Sequence, residues 1–222
     1  AKINSDLLGR KVLVTAGGTR EAIDPVRFIA NHSKGKQGYA VAKAARNRGA
    51  DVVLIAANSS LDDLPGVRTI SVSSTAQMAD ALDKEFPTCE ILIMAAAVAD
   101  ARPKSFSSDK IKKSNYQNIE LEANPDLLAN ISKKRSGNQV LVAFAAETLP
   151  LNSEGVEAAK AKMKHKGSDL IYLNNVGEGA IFGADETAGL LIDSNGESIE
   201  CKNQSKDTLA DLLLDRALNK LG

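Results

Sequence analysis

The sequence predicts an α/β fold in which an open, mostly parallel sheet has helices on both faces and a β-hairpin follows near the C-terminus. Two observations carry this prediction. Short, continuous apolar runs alternate with helical patterns, which is typical of buried parallel strands joined by helices. Asn195 and Gly196 then separate two runs with strand-like alternation, which is a strong hairpin signal.

Six apolar runs are predicted to be the strands of the parallel sheet. They are residues 11–16, 51–57, 67–72, 90–97, 139–146 and 169–173. Ligands of open parallel sheets bind beyond the carboxyl ends of the strands. Small or polar segments follow three of these ends, so we expect residues 17–20, 56–58 and 95–100 to converge in space.

Helix signals fill the connections between these strands. The predicted helices are residues 36–48, 75–86, 125–134, 154–166 and 206–221. Gly49 closes the first, and a capping box of Ser74 and Gln77 opens the second. Asn124 as N-cap, followed by Pro125, predicts the start of the third.

The composition excludes several functional classes. Lysine plus arginine equals aspartate plus glutamate at 28 each, and a net charge of zero argues against general attraction to nucleic acid or to an anionic membrane. No apolar run reaches the length of a membrane span. Cys89 and Cys201 lack metal or redox spacing, which favours the reducing cytoplasm.

We expect residues 1–10 to be a linker and residues 11–222 to be a single domain.

Residues 24–38 have the composition of an anion-binding site. Gly35 and Gly38 lead into a helix of small residues, where backbone N–H groups and the helix dipole attract a phosphate or carboxylate. The hydrogen-bonding side chains around them are Arg27, Asn31, His32, Ser33, Lys34 and Lys36. The alternative is an ordinary helix-entry turn, because glycines before helices are common. A Walker A loop is excluded, since Ala30 and Gln37 occupy positions that it needs for glycine and serine or threonine.

Other features are candidates for nucleotide contacts. Asp100 follows an alanine-rich strand end that would let a flat ring approach the backbone; the alternative is a surface acid. The lysine-rich segment around Lys110 is either a solvated loop or a mobile lid that brings positive charge to a triphosphate. Lys162 and Lys166 share one helix face, which by itself is most often solvated.

The sequence contains no obvious catalytic nucleophile. Ser-His-Asp, HExxH and CxxC patterns are missing, and His32 and His165 lack metal-ligand spacing. This indicates catalysis by positioning and charge neutralisation, as phosphoryl and nucleotidyl transfer require.

Six segments carry a resemblance to a known family: KVLVTAGGTREAIDPVRFIANHSKGKQGYAVA, AAAVADARP, DKIKK, NPDLL, VAFAAET and AKMKHKGSDLIYLNN. In this order and spacing they resemble bacterial phosphopantothenate–cysteine ligase, usually the C-terminal half of the bifunctional coenzyme A biosynthesis flavoprotein. The resemblance covers essentially the whole chain. It implies a Rossmann-like sheet with an extra β element, a homodimer, and fusion to a phosphopantothenoylcysteine decarboxylase domain in the full-length protein.

The resemblance also implies a reaction. CTP activates the carboxylate of 4′-phosphopantothenate as an acyl-cytidylate and releases pyrophosphate; the amine of L-cysteine then displaces CMP. Mg²⁺ is expected with CTP, to offset the charge of the triphosphate. No FMN is expected in this chain, because the sequence shows no second, flavin-dependent domain.

The resemblance assigns site residues by motif. Those implied to be catalytic are Asn31, which donates to the acyl oxygen, Lys110, which reaches the phosphates, and Arg27. The implied nucleotide contacts are Met94, Ala95, Ala96, Asp100, Lys110, Asn124, Pro125, Asp126, Leu127, Phe144, Lys162 and Lys166. The implied substrate contacts are Gly17, Gly18, Arg27, Asn31, Gly35, Lys36, Gly38 and Ala97. The metal ligands are left open.

Two other classes of function stay open. One is an NAD(P)-dependent reductase on the same kind of sheet, against which the missing GxGxxG motif argues. The other is a non-catalytic nucleotide-binding module, which would bind CTP without releasing pyrophosphate.

Overall fold

The computed structural model describes residues 5–113, 118–147, 153–175 and 186–222. The strands in these ranges are β1 (Lys11–Gly17), β2 (Arg20–Ala22), β3 (Phe28–Ala30), β4 (Asp51–Ala57), β5 (Arg68–Val72), β6 (Ile91–Met94), β7 (Ala101–Pro103), β8 (Leu121–Ala123), β9 (Val140–Glu147), β10 (Leu170–Asn175), β11 (Glu186–Asp193) and β12 (Ser198–Ser205). The α-helices are α1 (Lys36–Asn47), α2 (Thr75–Glu85), α3 (Leu127–Ser132), α4 (Ser153–Lys166) and α5 (Lys206–Leu221). Over the described ranges, no helix has the length and apolarity needed to cross a membrane.

An eight-stranded sheet has the order β12-β11-β10-β9-β6-β1-β4-β5. The six neighbouring strands from β10 to β5 are parallel, whereas β11 runs antiparallel to both β10 and β12. The predicted parallel sheet and C-terminal hairpin are therefore confirmed. From β1 the chain builds outward to β4 and β5, and then returns to the other side of β1 to form β6. The gap between β1 and β6 is thus a topological switch point, where open α/β sheets bind their ligands.

Alternate residues of the central strands pack against two different helical layers. Val12 and Val14 of β1 belong to the cluster that includes α1 and α5. Leu13 belongs to the cluster that includes α2, α3 and α4. All three side chains are fully buried. Burial on both faces explains why these strands are continuous apolar runs in the sequence.

Capping interactions define the helix ends. The capping box predicted for α2 is present. The predicted start of α3 is wrong by two residues: Asp126, not Asn124, is the N-cap and accepts a hydrogen bond from the Ala129 N–H at 3.0 Å. Asn124 is not available for this role because its Oδ1, which would have to accept from the helix, accepts instead from Arg102 Nη1 at 3.0 Å. The helix also ends at Ser132, two residues before the predicted end.

Two small sheets occur in segments for which no strand is predicted. β2 pairs with β3, and β7 pairs with β8, in each case antiparallel over three residues. These strands are short and largely exposed, so they lack the apolar run or regular alternation that predicts a strand. β6 also ends at Met94 rather than at residue 97, and the Ala96 N–H bonds instead to the Thr15 hydroxyl at 3.1 Å.

Residues 5–10 pack against the rest of the chain. Leu7 is fully buried, and its N–H donates to the carbonyl of Arg48 at 3.1 Å. Arg48 in turn pairs with Asp6 at 2.7 Å and with Asp215 at 2.8 Å. The domain boundary expected at residue 10 stays a prediction, and residues 1–4 of the expected linker lie outside the described residues.

Candidate active site

The turn after β1 lies directly beside the segment that follows β6. The Ala97 N–H donates to the carbonyl of Gly17 at 2.8 Å, and the Thr19 N–H donates to the carbonyl of Ala97 at 3.2 Å. From the end of β4, Asn58 Nδ2 donates to the carbonyl of Gly18 at 2.9 Å. The three strand-end segments therefore converge at the switch point, as the sequence predicts.

Glycines allow close packing around this turn. Gly17 has φ 83°, and a Cβ there would lie 2.0 Å from the carbonyl oxygen of Ala57. A Cβ on Gly38 would lie 2.5 Å from the Cβ of Ala16, because the first turn of α1 packs directly on β1. Packing alone accounts for these two glycines. Gly35 is different: it is the N-cap of α1 with φ 84°, and no side chain caps the positive end of this helix, which can therefore attract an anion.

Asn31 connects the end of β3 to the segment after β6. Its Nδ2 donates to the carbonyl of Val98 at 3.2 Å, and the side chain is exposed. A Cβ on Gly18 would lie 3.1 Å from the carbonyl oxygen of Asn31, so the turn after β1 is also adjacent. The residue expected to contact the acyl group thus lies next to the segment expected to hold the nucleotide.

A buried carboxylate organises the loop between β2 and β3. The side chain of Asp24 is fully buried and accepts hydrogen bonds from the N–H groups of Val26 at 2.9 Å and Arg27 at 2.8 Å. It also pairs with the Arg27 guanidinium, through Nε at 3.0 Å and through a closer contact with Nη2. The bond from the guanidinium outweighs the effect of burial and holds the pKa of Asp24 well below its usual range.

The same pair of residues holds the lysine-rich segment. The Ile111 N–H donates to Oδ2 of Asp24 at 3.1 Å, and Arg27 Nη2 donates to the carbonyl of Ile111 at 2.9 Å. An open pocket of about 630 Å³ lies here, a volume typical of small-molecule sites. The residues that line it are Arg27, Lys110, Ile111, Lys112 and Lys113. Two of the three expected catalytic residues, Arg27 and Lys110, therefore share one pocket.

A buried polar cluster joins β2, α2 and the segment after β6. Glu21 accepts hydrogen bonds from the N–H of Thr75 at 2.9 Å and from its hydroxyl at 2.6 Å. The Thr19 hydroxyl accepts from the Ala99 N–H at 2.8 Å. Asn124 Nδ2 donates to the carbonyl of Ala99 at 2.8 Å. Sequence reasoning missed Glu21 and Thr75 because nothing in their local pattern reveals that the fold buries them together.

Asp126 and Lys166, both expected nucleotide contacts, bind each other. Lys166 Nζ lies 3.0 Å from Asp126 Oδ2, which joins the C-terminal end of α4 to the start of α3. Burial would raise the pKa of Asp126, but the bonds from the Ala129 N–H and from Lys166 outweigh it, so the pKa lies below its ordinary value.

The remaining expected contacts divide between the core and the surface. Met94 and Leu127 are buried in the core, so we expect any ligand contact from them to come from the backbone. Phe144 is half-buried and packs edge-on against Tyr172, with ring centroids 5.4 Å apart. The exposed or half-buried members are Lys36, Ala95, Ala96, Asp100, Pro125 and Lys162. Their assignment to a ligand stays a prediction.

Comparison with known proteins agrees with this fold. The family model for the DNA/pantothenate metabolism flavoprotein C-terminal domain matches residues 7–221. The coenzyme A biosynthesis bifunctional protein CoaBC of Mycobacterium tuberculosis (strain ATCC 25618 / H37Rv) is 49% identical over 218 residues, which cover 95% of this chain and 52% of the relative. CoaBC of Vibrio cholerae serotype O1 is 40% identical over 212 residues, which cover 94% of this chain and 52% of the relative. The chain spans about half the length of the curated relatives it matches.

Solved structures show the same architecture. A crystal structure of the C-terminal domain of CoaBC superposes with a TM-score of 0.82 at 34% identity and covers 98% of both chains. A Cab2 mutant in complex with phosphopantothenate-cysteine has a TM-score of 0.75 at 15% identity, covers 96% of this chain and 87% of its own, and supports the fold alone. From the family match and these identities, the chain belongs to the family of DNA/pantothenate metabolism flavoprotein C-terminal domains.

Proposed function

We propose that this chain joins 4′-phosphopantothenate to L-cysteine in a CTP-dependent ligation that gives 4′-phosphopantothenoylcysteine and releases pyrophosphate and CMP. Family membership supports the proposal, because the relatives are named for coenzyme A biosynthesis. The solved Cab2 structure is named as a complex with phosphopantothenate-cysteine. That compound is the product that we propose for this chain.

The contact between Asn31 and Val98 carries the proposal. It crosses the switch point, from the end of β3 to the segment after β6. An acyl-nucleotide must present its acyl carbon to one group of residues and its nucleoside to another. The Asn31 side chain lies next to the alanine segment, with its Nδ2 3.2 Å from the carbonyl oxygen of Val98. This arrangement suits a ligand that contacts both.

In the proposed first step, a carboxylate oxygen of 4′-phosphopantothenate attacks the α-phosphorus of CTP, and the bond to pyrophosphate breaks. A carboxylate does not react with an amine at a useful rate, and the acyl-cytidylate supplies CMP as a good leaving group. Negative charge moves to the departing pyrophosphate. Lys110 and Arg27, which line one pocket, would neutralise that charge.

In the proposed second step, the amine of L-cysteine attacks the acyl carbon, loses a proton and displaces CMP. Charge grows on the acyl oxygen, and the Asn31 amide would donate to it. Its Nδ2 carries two N–H groups, so one can donate to the acyl oxygen while the other keeps the bond to the Val98 carbonyl. The open N-terminus of α1, at Gly35, Lys36 and Gly38, would hold the phosphate of 4′-phosphopantothenate.

Mg²⁺ is proposed to enter with CTP. Among the described residues, no group of three or more His, Cys, Asp or Glu side chains could hold a metal ion. Mg²⁺ that enters with a nucleotide is usually bound by substrate phosphates, several waters and only one or two carboxylates. When bound, Mg²⁺ would offset part of the triphosphate charge, and no protein ligand is assigned to it.

Other parts of the proposal concern the full-length protein. We propose a homodimer of a single ligase domain at residues 11–222, in the cytoplasm, fused to a phosphopantothenoylcysteine decarboxylase domain. The relatives support the fusion, since they are named as bifunctional and are about twice as long as the matched region. The expectation that FMN belongs to that other domain stays a prediction.

Pyrophosphate release is the experiment that tests the proposal. The protein is mixed with Mg²⁺, L-cysteine and either CTP or ATP, with and without 4′-phosphopantothenate. Release that requires both CTP and 4′-phosphopantothenate is the expected result. Folded protein that binds CTP and releases no pyrophosphate would instead be a nucleotide-binding module, and oxidation of NAD(P)H with a carbonyl substrate would indicate a reductase.

A further inference from the structure

We propose that Asp24 is a positioning residue that holds Arg27 and the lysine segment 110–113 in one arrangement, ready to receive a polyphosphate. The identity of the polyphosphate, the triphosphate of CTP, rests on the proposed function. The arrangement itself rests on contacts within the chain.

Asp24 acts through its neighbours because it has no access to a ligand. Its side chain is fully buried, and its two oxygens accept hydrogen bonds from three backbone N–H groups and from one guanidinium. The N–H donors belong to Val26, Arg27 and Ile111. A single carboxylate therefore fixes both the turn that carries Arg27 and a segment more than 80 residues away in the sequence.

Ile111 is held on both sides of its backbone. Its N–H donates to Asp24, while its carbonyl accepts from Arg27 Nη2 at 2.9 Å. A second attachment lies four residues earlier, where the Ser107 N–H donates to the carbonyl of Ile23 at 3.1 Å. These two attachments fix the course of the backbone that carries Lys110, Lys112 and Lys113. The lysine segment is thus held at a defined position against the β2–β3 loop.

Charge explains why this residue is an acid. Arg27 and three lysines bring four positive charges to one pocket, and they repel each other in the absence of an anion. The Asp24 carboxylate offsets the charge of Arg27, with which it forms an ion pair. Asparagine has nearly the same shape, but its amide would place N–H groups against the N–H donors of Arg27 and Ile111. Asp24→Asn therefore breaks the hydrogen bonds that join residue 24 to Arg27 and Ile111, while it changes the side-chain volume very little.

The chain offers a matched control for this substitution. Asp193, at the β11–β12 hairpin, accepts hydrogen bonds from the N–H groups of Asn195 and Glu197, each at 2.9 Å. It also pairs with Lys220 at 3.0 Å. Asp193→Asn thus removes a largely buried turn carboxylate with a similar set of partners, but in a different part of the sheet.

Limited proteolysis with trypsin reports directly on the lysine segment. In Asp24→Asn, we expect cleavage after Lys110, Lys112 or Lys113 to be at least about tenfold faster than in the unmodified protein. Asp193→Asn should be cleaved there at the unmodified rate. Urea midpoints of both variants show how far each is destabilised overall. Equal cleavage of this segment in the two variants would overturn the proposal.

A measurement on the unmodified protein covers the case in which Asp24→Asn does not fold. The backbone amide of Ile111 should exchange its hydrogen at least about a hundredfold more slowly than an unstructured amide, because a buried carboxylate accepts its hydrogen bond. Exchange of this amide at the rate of an unstructured amide would overturn the proposal. Neither this measurement nor proteolysis needs a substrate, so both remain decisive if the ligase assignment fails.

Kinetics then separate positioning from loss of structure. With the active ligase, Asp24→Asn should raise the KM for CTP at least about fivefold and leave the KM for L-cysteine unchanged, since the lysine segment is proposed to serve only the triphosphate. An equal rise in both KM values would contradict positioning and indicate general damage to the site. Asp193→Asn should alter neither value.

Discussion

The side-chain amide of Asn31 donates a hydrogen bond to the backbone carbonyl of Val98 across 67 residues of sequence. This contact links the β2–β3 hairpin, which also carries Arg27, to the segment after β6. The hairpin lies between β1 and α1 in the sequence and forms a two-stranded sheet separate from the eight-stranded one. The proposed chemistry therefore depends on how the β2–β3 hairpin packs against the segment that follows β6.

Replacing Asn31 by Asp should slow amide formation more than it weakens nucleotide binding. The change substitutes an anion for a donor beside a developing oxyanion, and loss of one such donor costs about 10²–10³-fold in rate. Single-turnover formation of the amide and calorimetric titration of CTP would measure the two effects. Asn203→Asp, an exposed site on β12, is the control. An equal loss of CTP affinity and of turnover would contradict the role of Asn31.

Replacing Lys110 by Gln should chiefly slow the activation step. The substitution shortens the side chain by one bond, keeps a polar end group and removes the charge that we propose to meet the phosphates. Pyrophosphate release in a single turnover should fall at least about tenfold. Lys104→Gln is a suitable control, because Lys104 is exposed and pairs with Glu120 at 3.3 Å on β7–β8. Release at the unmodified rate in Lys110→Gln would rule out the assignment.

Replacing Asp126 by Asn should destabilise the protein in a pH-dependent way. Because the folded state lowers the pKa of Asp126, its contribution is present above the ordinary value of 3.8 and is lost as the pH falls through the folded pKa. Asparagine also caps helices, and the site is partly exposed, so we expect a loss of about 0.5–1 kcal/mol at pH 7. Urea unfolding at pH 7 and at pH 3 would measure it, with Lys166→Met as the matched variant. A difference that is the same at both pH values would be inconsistent with the Asp126–Lys166 pair.

Replacing Gly38 by Ala tests the close packing of α1 on β1. Helix propensity alone predicts that the variant is more stable, by about 1 kcal/mol. The new Cβ would lie 2.5 Å from Ala16 and 2.8 Å from the carbonyl oxygen of Thr15, which predicts a loss of about 1–3 kcal/mol instead. The sign of the change in the free energy of unfolding, measured by chemical denaturation, decides between these two predictions. The difference between Lys43→Gly and Lys43→Ala, at an exposed position of the same helix, gives the effect of propensity alone, since both variants lose the pair with Asp207.

Sedimentation tests the proposed homodimer. At micromolar concentration we expect twice the mass of one chain, over a range of concentrations. A species with the mass of a single chain throughout that range would contradict the dimer.

Much of the sheet could be predicted because its strands are buried on both faces. Such strands are apolar at nearly every position, so β1 and β4 stand out in the sequence without any knowledge of their partners. The convergence of residues 17–20 and 95–100 followed from the same inference, since the carboxyl ends of parallel strands meet at one edge. Gly35 and Asn31 could be singled out from local composition.

The rest of the site depends on contacts between distant segments. Asp24 looks like an ordinary turn residue in the sequence, and its role emerges only from its bond to Ile111, 87 residues away. Asn124 had the pattern of an N-cap, yet its Oδ1, the atom that would cap the helix, accepts from Arg102 Nη1 at 3.0 Å, and the cap is left to Asp126. Local patterns cannot rank such competing hydrogen bonds, because the competitors are brought together only by the fold.

The alternation of β1 residues between two helical layers has a consequence for how the protein loses its structure. Removing α1 and α5 would expose Val12 and Val14, and the same backbone carries Leu13 into the other layer. Neither layer can melt without loosening the strand that supports its counterpart. We therefore expect thermal denaturation to be a single cooperative transition, with coincident loss of helical circular dichroism and of core packing, rather than the stepwise melting of two independent halves.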